Sequence, residues 1–127
     1  MTQATVVSTP KAPAAIGPYS QAIKLGNLVF TSGQIGLNPA TGELIGASTE
    51  EQARQAFTNL KAVAEEAGGS LANVVKFTLF LTDLSEFAQV NAIMQEYVSA
   101  PFPARSTVGV ASLPKGARFE VEAILAL

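Results

Sequence analysis

The side chains that could perform chemistry in this chain of 127 residues are carboxylates, guanidiniums, amines, amides and hydroxyls, because the sequence contains neither histidine nor cysteine. A Ser-His-Asp triad, a histidine base, a thiolate nucleophile and a zinc–sulfur site are therefore excluded. Ser32 has no histidine partner, and the sequence identifies no lysine that could activate it. We therefore do not expect a serine nucleophile, and any reaction must rely on the remaining groups and on water.

One amide breaks a helical pattern. Asn91 lies four residues after Phe87 and three before Met94, on the apolar stripe of a predicted helix. A buried amide without a hydrogen-bond partner costs about 1–3 kcal/mol, so Asn91 must be paired. Its partner is either a neighbouring backbone group or a ligand or second subunit.

Two charged positions on predicted strands are the strongest candidates for chemistry. Arg105 begins a strand after the apolar segment 102–104, and is either a solvated strand end or a fork for a planar carboxylate. Glu120 and Glu122 share one face of the last strand with Arg118 and Ile124. They face water, or, if that face is covered, one of them pairs with a cation or holds a water molecule.

Two weaker candidates lie near the N-terminus. Tyr19 follows the Gly17-Pro18 break, and Gly33 interrupts a predicted strand between Ser32 and Gln34. A glycine within a strand marks a bulge or a close approach of the backbone to another group.

These residues must be positioned by two helices and several short strands. Apolar residues recur at helical spacing over 49–67, behind a predicted Ser48–Glu51 capping box, and over 84–98, behind a second box at Asp83–Glu86. Period-2 patterns and turn residues predict the strands, including a hairpin turn at 26–27. The predicted strands are 2–7, 19–25, 28–34, 74–82, 105–110 and 118–127.

The faces of two strands can also be assigned from the alternation. In 74–82, we place Val75, Phe77, Leu79 and Leu81 on one face and the other residues on the opposite face. In the last strand, the face opposite Glu120 is fully apolar, with Phe119, Val121, Ala123 and Leu125. In 19–25, Ile23 and Leu25 alternate with Ala22 and Lys24.

The element order predicts a single α+β domain spanning residues 1–127, with one mostly antiparallel or mixed sheet and both helices on one side. Only 14% of the residues are charged, against about 25% in an average domain. The helix-free side of the sheet also carries too many apolar residues to face water. We therefore expect a second subunit to cover it.

The charge pattern disfavours nucleic acid and membranes as partners. The net charge is −2, and no two of the eight basic residues are adjacent. No apolar run approaches the roughly 20 residues of a membrane span, and residues 1–4 have no signal-peptide character. We expect a cytoplasmic protein.

Taken together, segments along nearly the whole chain resemble the RidA (YjgF-like) family of imine and enamine deaminases. The most specific segments are Pro103-Ala104-Arg105-Ser106 and Leu113-Pro114-Lys115-Gly116, at their spacing from the C-terminus. The others are 12–21, 31–34, 42–43, 51–52, 59–63, 75–76, 87–91 and 120–123.

The resemblance implies a chorismate-mutase-like fold and a homotrimer with substrate sites in the three clefts between subunits. It also implies hydrolysis of 2-imino acids such as 2-iminobutanoate and 2-iminopropanoate, and of their enamine tautomers, to 2-keto acids and ammonia. No metal or organic cofactor is implied.

The resemblance also assigns roles to residues. Arg105 would clamp the substrate carboxylate, and Glu120, on the strand beside Arg105, would polarise water or relay a proton. The backbone at Ser106 and Thr107 would bond the imine or the product. The residues that would line the cleft are Tyr19, Ser32, Gly33, Phe87 and Asn91.

One position departs from the family pattern, because Thr107 stands where many members have cysteine. Deaminase activity survives this change if only the backbone at that position contacts substrate. Two other functions remain open: an endoribonuclease that inhibits translation, and a trimeric protein that binds small carboxylates or acts as a chaperone without catalysis.

Overall fold

The computed structural model describes residues 3–127 as two α-helices and one seven-stranded sheet. Thr2, which the sequence pattern places in the first strand, lies outside the described residues. The helices are α1 (Thr49–Glu66) and α2 (Phe87–Met94). The strands are β1 (Ala4–Val7), β2 (Ala22–Leu25), β3 (Leu28–Thr31), β4 (Gln34–Ile35), β5 (Val74–Leu81), β6 (Ala104–Gly109) and β7 (Phe119–Ala126).

The sheet is mixed, as the element order predicts. The strands follow the order β1-β2-β3-β7-β5-β6, and β4 pairs with β7. Only the pairing of β5 with β6 is parallel. Strand β5 therefore separates β6 from β7, and β6 forms one open edge of the sheet.

The hydrophobic core lies between the sheet and the helices. Phe57 of α1 packs against the rings of Phe77 on β5 and Phe119 on β7, with centroid separations of 6.0 and 5.6 Å. Ser48 caps α1 as predicted, because its hydroxyl accepts a hydrogen bond from the N–H of Glu51. The apolar face predicted for β7 is confirmed as buried.

The apolar residues of the alternating segment 19–25 do not face the hydrophobic core. Strand β2 begins only at Ala22, and Ile23 and Leu25 lie on the helix-free face. Ala22 and Lys24 point toward the helices, where the Lys24 ammonium donates to the carbonyl of Ala67 just beyond α1. The apolar residues of this strand therefore mark an open surface.

The predicted face assignment at the start of β5 is wrong for two residues. Val74 is buried and Val75 is 47% exposed, the reverse of the expected alternation. The pairing of β5 with β7 shifts register between Val74 and Lys76. A bulge inserts one residue into the strand and exchanges the faces on either side of it.

The second helix is shorter than the predicted span of 84–98. Residues Leu84–Glu86 form a 3₁₀ turn, and α2 ends at Met94. The predicted second capping box does not form: the Asp83 carboxylate accepts from the N–H and hydroxyl of Ser85, while Glu86 bonds elsewhere. The Asp83 cap thus starts a tight turn before the α-helix.

The helix-free face of the sheet divides into an apolar part and an acidic part. Val6, Leu25, Leu28 and Phe30 on β1, β2 and β3 are each more than a third exposed. Glu120 and Glu122 occupy the same face on β7. Within residues 3–127, neither helix combines the length and the apolar character that a membrane crossing requires.

Candidate functional site

Arg105 is held by three side chains of helix α2. Its Nη1 donates to the Asn91 amide oxygen and also lies 3.7 Å from the Met94 sulfur. Its guanidinium carbon lies 5.1 Å from the centroid of the Phe87 ring, a cation–π distance. We call Arg105, Phe87, Asn91 and Met94 the arginine half-site.

Helical spacing explains why these three residues of α2 meet one guanidinium. Positions 87, 91 and 94 follow each other by four and three residues and therefore share a helix face. The amide oxygen of Asn91 accepts its hydrogen bond from a side chain of the same chain, that of Arg105. The partners expected from the sequence were a backbone group, a ligand or a second subunit, and they did not include this contact. The polar residue on the apolar stripe thus orients the arginine.

The guanidinium keeps most of its donors free. It carries five N–H groups, and Asn91 is its only oxygen acceptor among the described residues. It opens on a cleft of about 410 Å³. The cleft is lined by Asn91, Met94, Gln95, Val98, Phe102, Pro103 and Arg105.

The open edge of β6 adds main-chain groups beside the arginine. The N–H of Val110 donates to the carbonyl of Leu81 on β5, at 2.9 Å. Because main-chain groups alternate in direction along a strand, those of Arg105 and Thr107 point away from β5, toward the open edge. The Thr107 hydroxyl is buried and has no hydrogen-bond partner within residues 3–127. Ser106 pairs with Thr78 and faces the helix-free side.

Glu120 is the centre of a second group, which we call the carboxylate half-site and which includes Gly33 and Tyr19. A Cβ atom added to Gly33 would lie 2.3 Å from the Oε2 atom of Glu120. The close approach that the glycine predicted is therefore to this carboxylate. Tyr19 and Glu120 line the same cleft of about 360 Å³.

Buried polar contacts fix the loop that carries Tyr19. The Gln21 side chain, which is 3% exposed, accepts from the Thr9 N–H and donates to the carbonyls of Thr9 and Pro13. The Ser32 hydroxyl donates to the carbonyl of Ser20 at 2.6 Å. Ser32 therefore anchors the loop, and its hydroxyl proton is already used.

The electrostatic environment of Glu120 favours the protonated carboxyl. Glu120 is half-buried, and burial, with a smaller contribution from Glu122, raises its pKa. It forms no ion pair with any residue in the described part of the chain. A carboxyl whose pKa is raised in this way is a stronger proton acceptor when ionised than an ordinary glutamate.

The two half-sites lie on opposite faces of the sheet of one chain. Arg105 pairs with Phe77, a core residue, and so points toward the helices. Glu120 pairs with Phe80, on the helix-free face. The expectation that Glu120 lies on the strand beside Arg105 is wrong, because β5 runs between β6 and β7.

The sequence patterns missed several residues at these sites. Met94 was noted only as an apolar stripe residue. Pro114 and Lys115 belong to a segment that carries the family resemblance, but they were given no role at the site, although both line the Glu120 cleft. Lys115 has a φ of 59°, which a sequence pattern of Pro-Lys-Gly does not assign to the lysine. Within residues 3–127, no three acidic side chains converge as they would around a metal ion.

Comparisons with known proteins agree over almost the whole chain. The family model described as Endoribonuclease L-PSP matches residues 9–127. A protein of Dermatophagoides farinae named 2-iminobutanoate/2-iminopropanoate deaminase is 49% identical over 127 residues, which are 100% of this chain and 99% of that protein.

Two solved structures have the same fold. The crystal structure of RidA from an Antarctic Psychrobacter is 52% identical, with a TM-score of 0.94, and covers 97% of this chain and 99% of that one. The structure of E. coli TdcF with bound serine is 43% identical, with a TM-score of 0.91, and covers 97% and 98% of the two chains.

Replacing Glu120 with glutamine should stabilise the protein more at about pH 8 than at about pH 4. The pKa of Glu120 is raised in the folded protein. Its contribution to stability is therefore fully present below the unfolded pKa, about 4.3, and is lost as pH rises through the folded pKa. Thermal unfolding of wild type and Glu120→Gln across this range measures the difference.

The exposed Glu66 at the end of α1 provides the control for net charge, through Glu66→Gln. The pH dependence of the stability change in Glu120→Gln, minus that in Glu66→Gln, is the effect that is due to the burial of Glu120. A Glu120→Gln variant with the same pH dependence as the control would contradict the assignment of a desolvated carboxyl.

Proposed function

The chain belongs to the RidA family, the family of the endoribonuclease L-PSP match, and we propose from this membership that it hydrolyses 2-imino acids and their enamine tautomers to 2-keto acids and ammonia. The observation that carries the proposal is the Arg105 guanidinium, fixed by α2 with free donors at a cleft. Such a group recognises a small carboxylate, which every 2-imino acid carries.

Binding begins with the carboxylate. Two parallel N–H groups of Arg105 donate to its two oxygens, a geometry that fixes the plane of the substrate. The contacts of the guanidinium with Asn91 and Phe87 exist before substrate arrives. The arginine therefore loses little conformational freedom on binding, and the imine carbon is held in one orientation.

Hydrolysis needs water at the imine carbon. Glu120 accepts a proton from this water as the oxygen attacks the C=N carbon, and returns it to the nitrogen, which gives a neutral tetrahedral carbinolamine. Glu120 then takes the hydroxyl proton of the carbinolamine and passes it to the nitrogen as the C=O bond forms and the C–N bond breaks, so that a 2-keto acid and ammonia leave. The raised pKa of Glu120 suits a group that takes up and returns one proton.

The two half-sites can serve one substrate only if they come from different copies of the chain. Arg105 and Glu120 lie on opposite faces of the sheet within one chain. The helix-free face, which carries Glu120, also exposes Phe30 and its apolar neighbours, as a face covered by another subunit does. We infer a homotrimer with a substrate site in each of its three clefts.

The remaining predicted residues complete this cleft. The main-chain groups of Arg105 and Thr107 at the open edge of β6 can bond the imine nitrogen or the product oxygen. Tyr19 comes from the copy that supplies Glu120. Substitution of the common cysteine by Thr107 leaves these main-chain contacts available, so the proposed chemistry does not depend on a thiol.

The proposed reaction needs no metal or organic cofactor, because an imine carbon is already electrophilic. The proposed location is the cytoplasm, where pyridoxal-phosphate dehydratases release 2-aminocrotonate and 2-aminoacrylate. An endoribonuclease is the second candidate, and the name of the matching family model favours it. The net charge of −2 and the dispersed basic residues argue against it.

The function is tested with imine generated in place by a pyridoxal-phosphate dehydratase acting on threonine. Wild type should accelerate 2-oxobutanoate and ammonia release above the rate in buffer. Arg105→Met should lose about a hundredfold or more in kcat/KM, because two hydrogen bonds to a charged group are lost. The charge-matched control Arg54→Met, on the surface of α1, should keep wild-type activity.

Two results would contradict this assignment. If the Arg105→Met variant is as active as wild type, Arg105 is not the carboxylate clamp. If wild type binds 2-oxobutanoate but does not accelerate the formation of 2-oxobutanoate from the imine, it is a non-catalytic binding protein. RNA cleavage abolished by Glu120→Ala would instead support the endoribonuclease.

Gly33→Ala should abolish most of the activity and leave the fold intact. The added Cβ would overlap the Glu120 carboxylate, which is the mobile end of a side chain and can move away. Gly46→Ala is the matched control, because its Cβ would displace the carboxylate of Glu51, which belongs to neither half-site. Circular dichroism should show both variants folded, and only Gly33→Ala should lose kcat. Equal losses in both would contradict the proposed role of Glu120.

Mixed oligomers test the shared site directly. Arg105→Met and Glu120→Gln should each be inactive alone, yet co-expressed chains should recover about one quarter of wild-type activity, because each cleft draws its two half-sites independently from two kinds of chain. Differently tagged chains purified through both tags isolate the mixed trimers, in which one cleft of the three is intact, so these should show about one third of wild-type activity. Mixed oligomers without recovered activity would show that both groups act within one chain.

A further inference from the structure

A closed ring of hydrogen bonds joins three side chains at the start of α1, the turn before α2 and the start of β7. The Glu86 carboxylate oxygen Oε1 accepts from Arg118 Nη2 at 2.7 Å and from the Thr49 hydroxyl at 2.8 Å. The Thr49 hydroxyl in turn accepts from Arg118 Nε at 2.8 Å. Thr49 is 2% exposed, so the ring is shielded from water on one side. We call these three residues the Arg118 ring.

The main chain at Arg118 is held independently of the ring. Its N–H donates to the Gln52 amide oxygen at 2.7 Å, and Gln52 is 1% exposed. The Gln52 amide nitrogen donates to the carbonyl of Gly46. Because the start of β7 is already fixed, the Arg118 side chain provides a firm anchor for whatever it binds, and it binds Glu86. Within residues 3–127, the only other carboxylate that reaches Arg118 is that of Asp83, whose Oδ2 lies 4.0 Å from Arg118 Nη2.

Helix α2 depends on an outside anchor at its first turn. The helix has only eight residues, and its N-cap residue, Glu86, makes no side-chain capping bond. Short helices are marginal without tertiary contacts. Glu86 directly precedes Phe87, the residue whose ring packs on the Arg105 guanidinium. The position of Glu86 therefore sets the position of Phe87 and, one turn later, of Asn91.

We propose that Glu86 is a positioning residue for substrate binding: through the Arg118 ring it fixes the first turn of α2, and so the orientation of Arg105. The inference rests on the proposed function, since it assigns Arg105 to the substrate carboxylate. Loss of the ring should weaken carboxylate binding while the chemical step, which depends on Glu120, stays nearly unchanged. Glu86 itself does not touch substrate.

The chain offers a matched control for this effect. Glu96, in the turn after α2, binds Arg54 of α1 through two hydrogen bonds of 3.1 and 2.8 Å. Glu86→Ala and Glu96→Ala therefore each remove one carboxylate and one ion pair that joins the α2 segment to the rest of the chain. Only Glu86 adjoins the residues that hold Arg105.

The experiment measures steady-state kinetics with generated imine and binding of 2-oxobutanoate by calorimetry. Glu86→Ala should raise KM and the product Kd about fivefold or more, the effect of about 1 kcal/mol, with kcat within about twofold of wild type. Glu86→Gln should largely restore binding, because its amide oxygen still accepts both hydrogen bonds. Glu96→Ala should leave KM and Kd at wild-type values.

Each alternative outcome has a definite meaning. Equal changes in Glu86→Ala and Glu96→Ala, or a fall in kcat without a rise in KM, would overturn the inference. If Glu86→Ala does not fold, Thr49→Val, which removes the hydroxyl of the ring, replaces it and should raise KM. If Arg105→Met leaves the Kd of 2-oxobutanoate unchanged, the proposed function fails. If Arg105→Met raises this Kd but Glu86→Ala leaves it unchanged, only the inference about Glu86 fails.

Discussion

The strict alternation of side chains along β-strands is the constraint on which the rest of this molecule depends. Combined with the strand order β7-β5-β6, it sends Arg105 toward the helices and Glu120 toward the helix-free face. No side-chain rotation can bring two groups together through a packed sheet. The second copy of the chain in the proposed site thus follows from backbone geometry once both groups are assigned to one substrate, and the exposed apolar residues around Phe30 are consistent with it.

Each half-site is prepared in a different physical way. The arginine is oriented by an amide and an aromatic ring, which leave most of its donors unused. The carboxylate is partly desolvated and has no cation beside it in the described chain, so its proton is more readily retained. The partial burial of this carboxylate costs stability in a lone chain wherever the group is ionised. A reaction at a carbon that is already electrophilic needs little more than these two groups, which suits a sequence without histidine or cysteine.

The sequence predicted local features well and long-range ones poorly. Helix α1, its Ser48 cap and the alternation of β7 follow from patterns among near neighbours in the chain. The glycine at 33 indicated a close approach, but it did not indicate that the partner is the distant Glu120. The bulge at Val75 depends on a tertiary partner, the register with β7, and so does the side chain of Glu86, which binds Arg118 in place of the capping bond that the sequence suggested. The insertion of β5 between β6 and β7 joins segments far apart in sequence, so no pattern could place Glu120 relative to Arg105.

The open edge of β6 has a consequence for the molecule outside its assembled state. Its unpaired main-chain groups, which the proposed chemistry uses, are also a template on which a foreign strand could add. Two prolines, Pro101 and Pro103, stand immediately before the strand and remove amide donors there. A strand of another chain can therefore pair with this edge in an isolated molecule, and the two prolines protect only its N-terminal end.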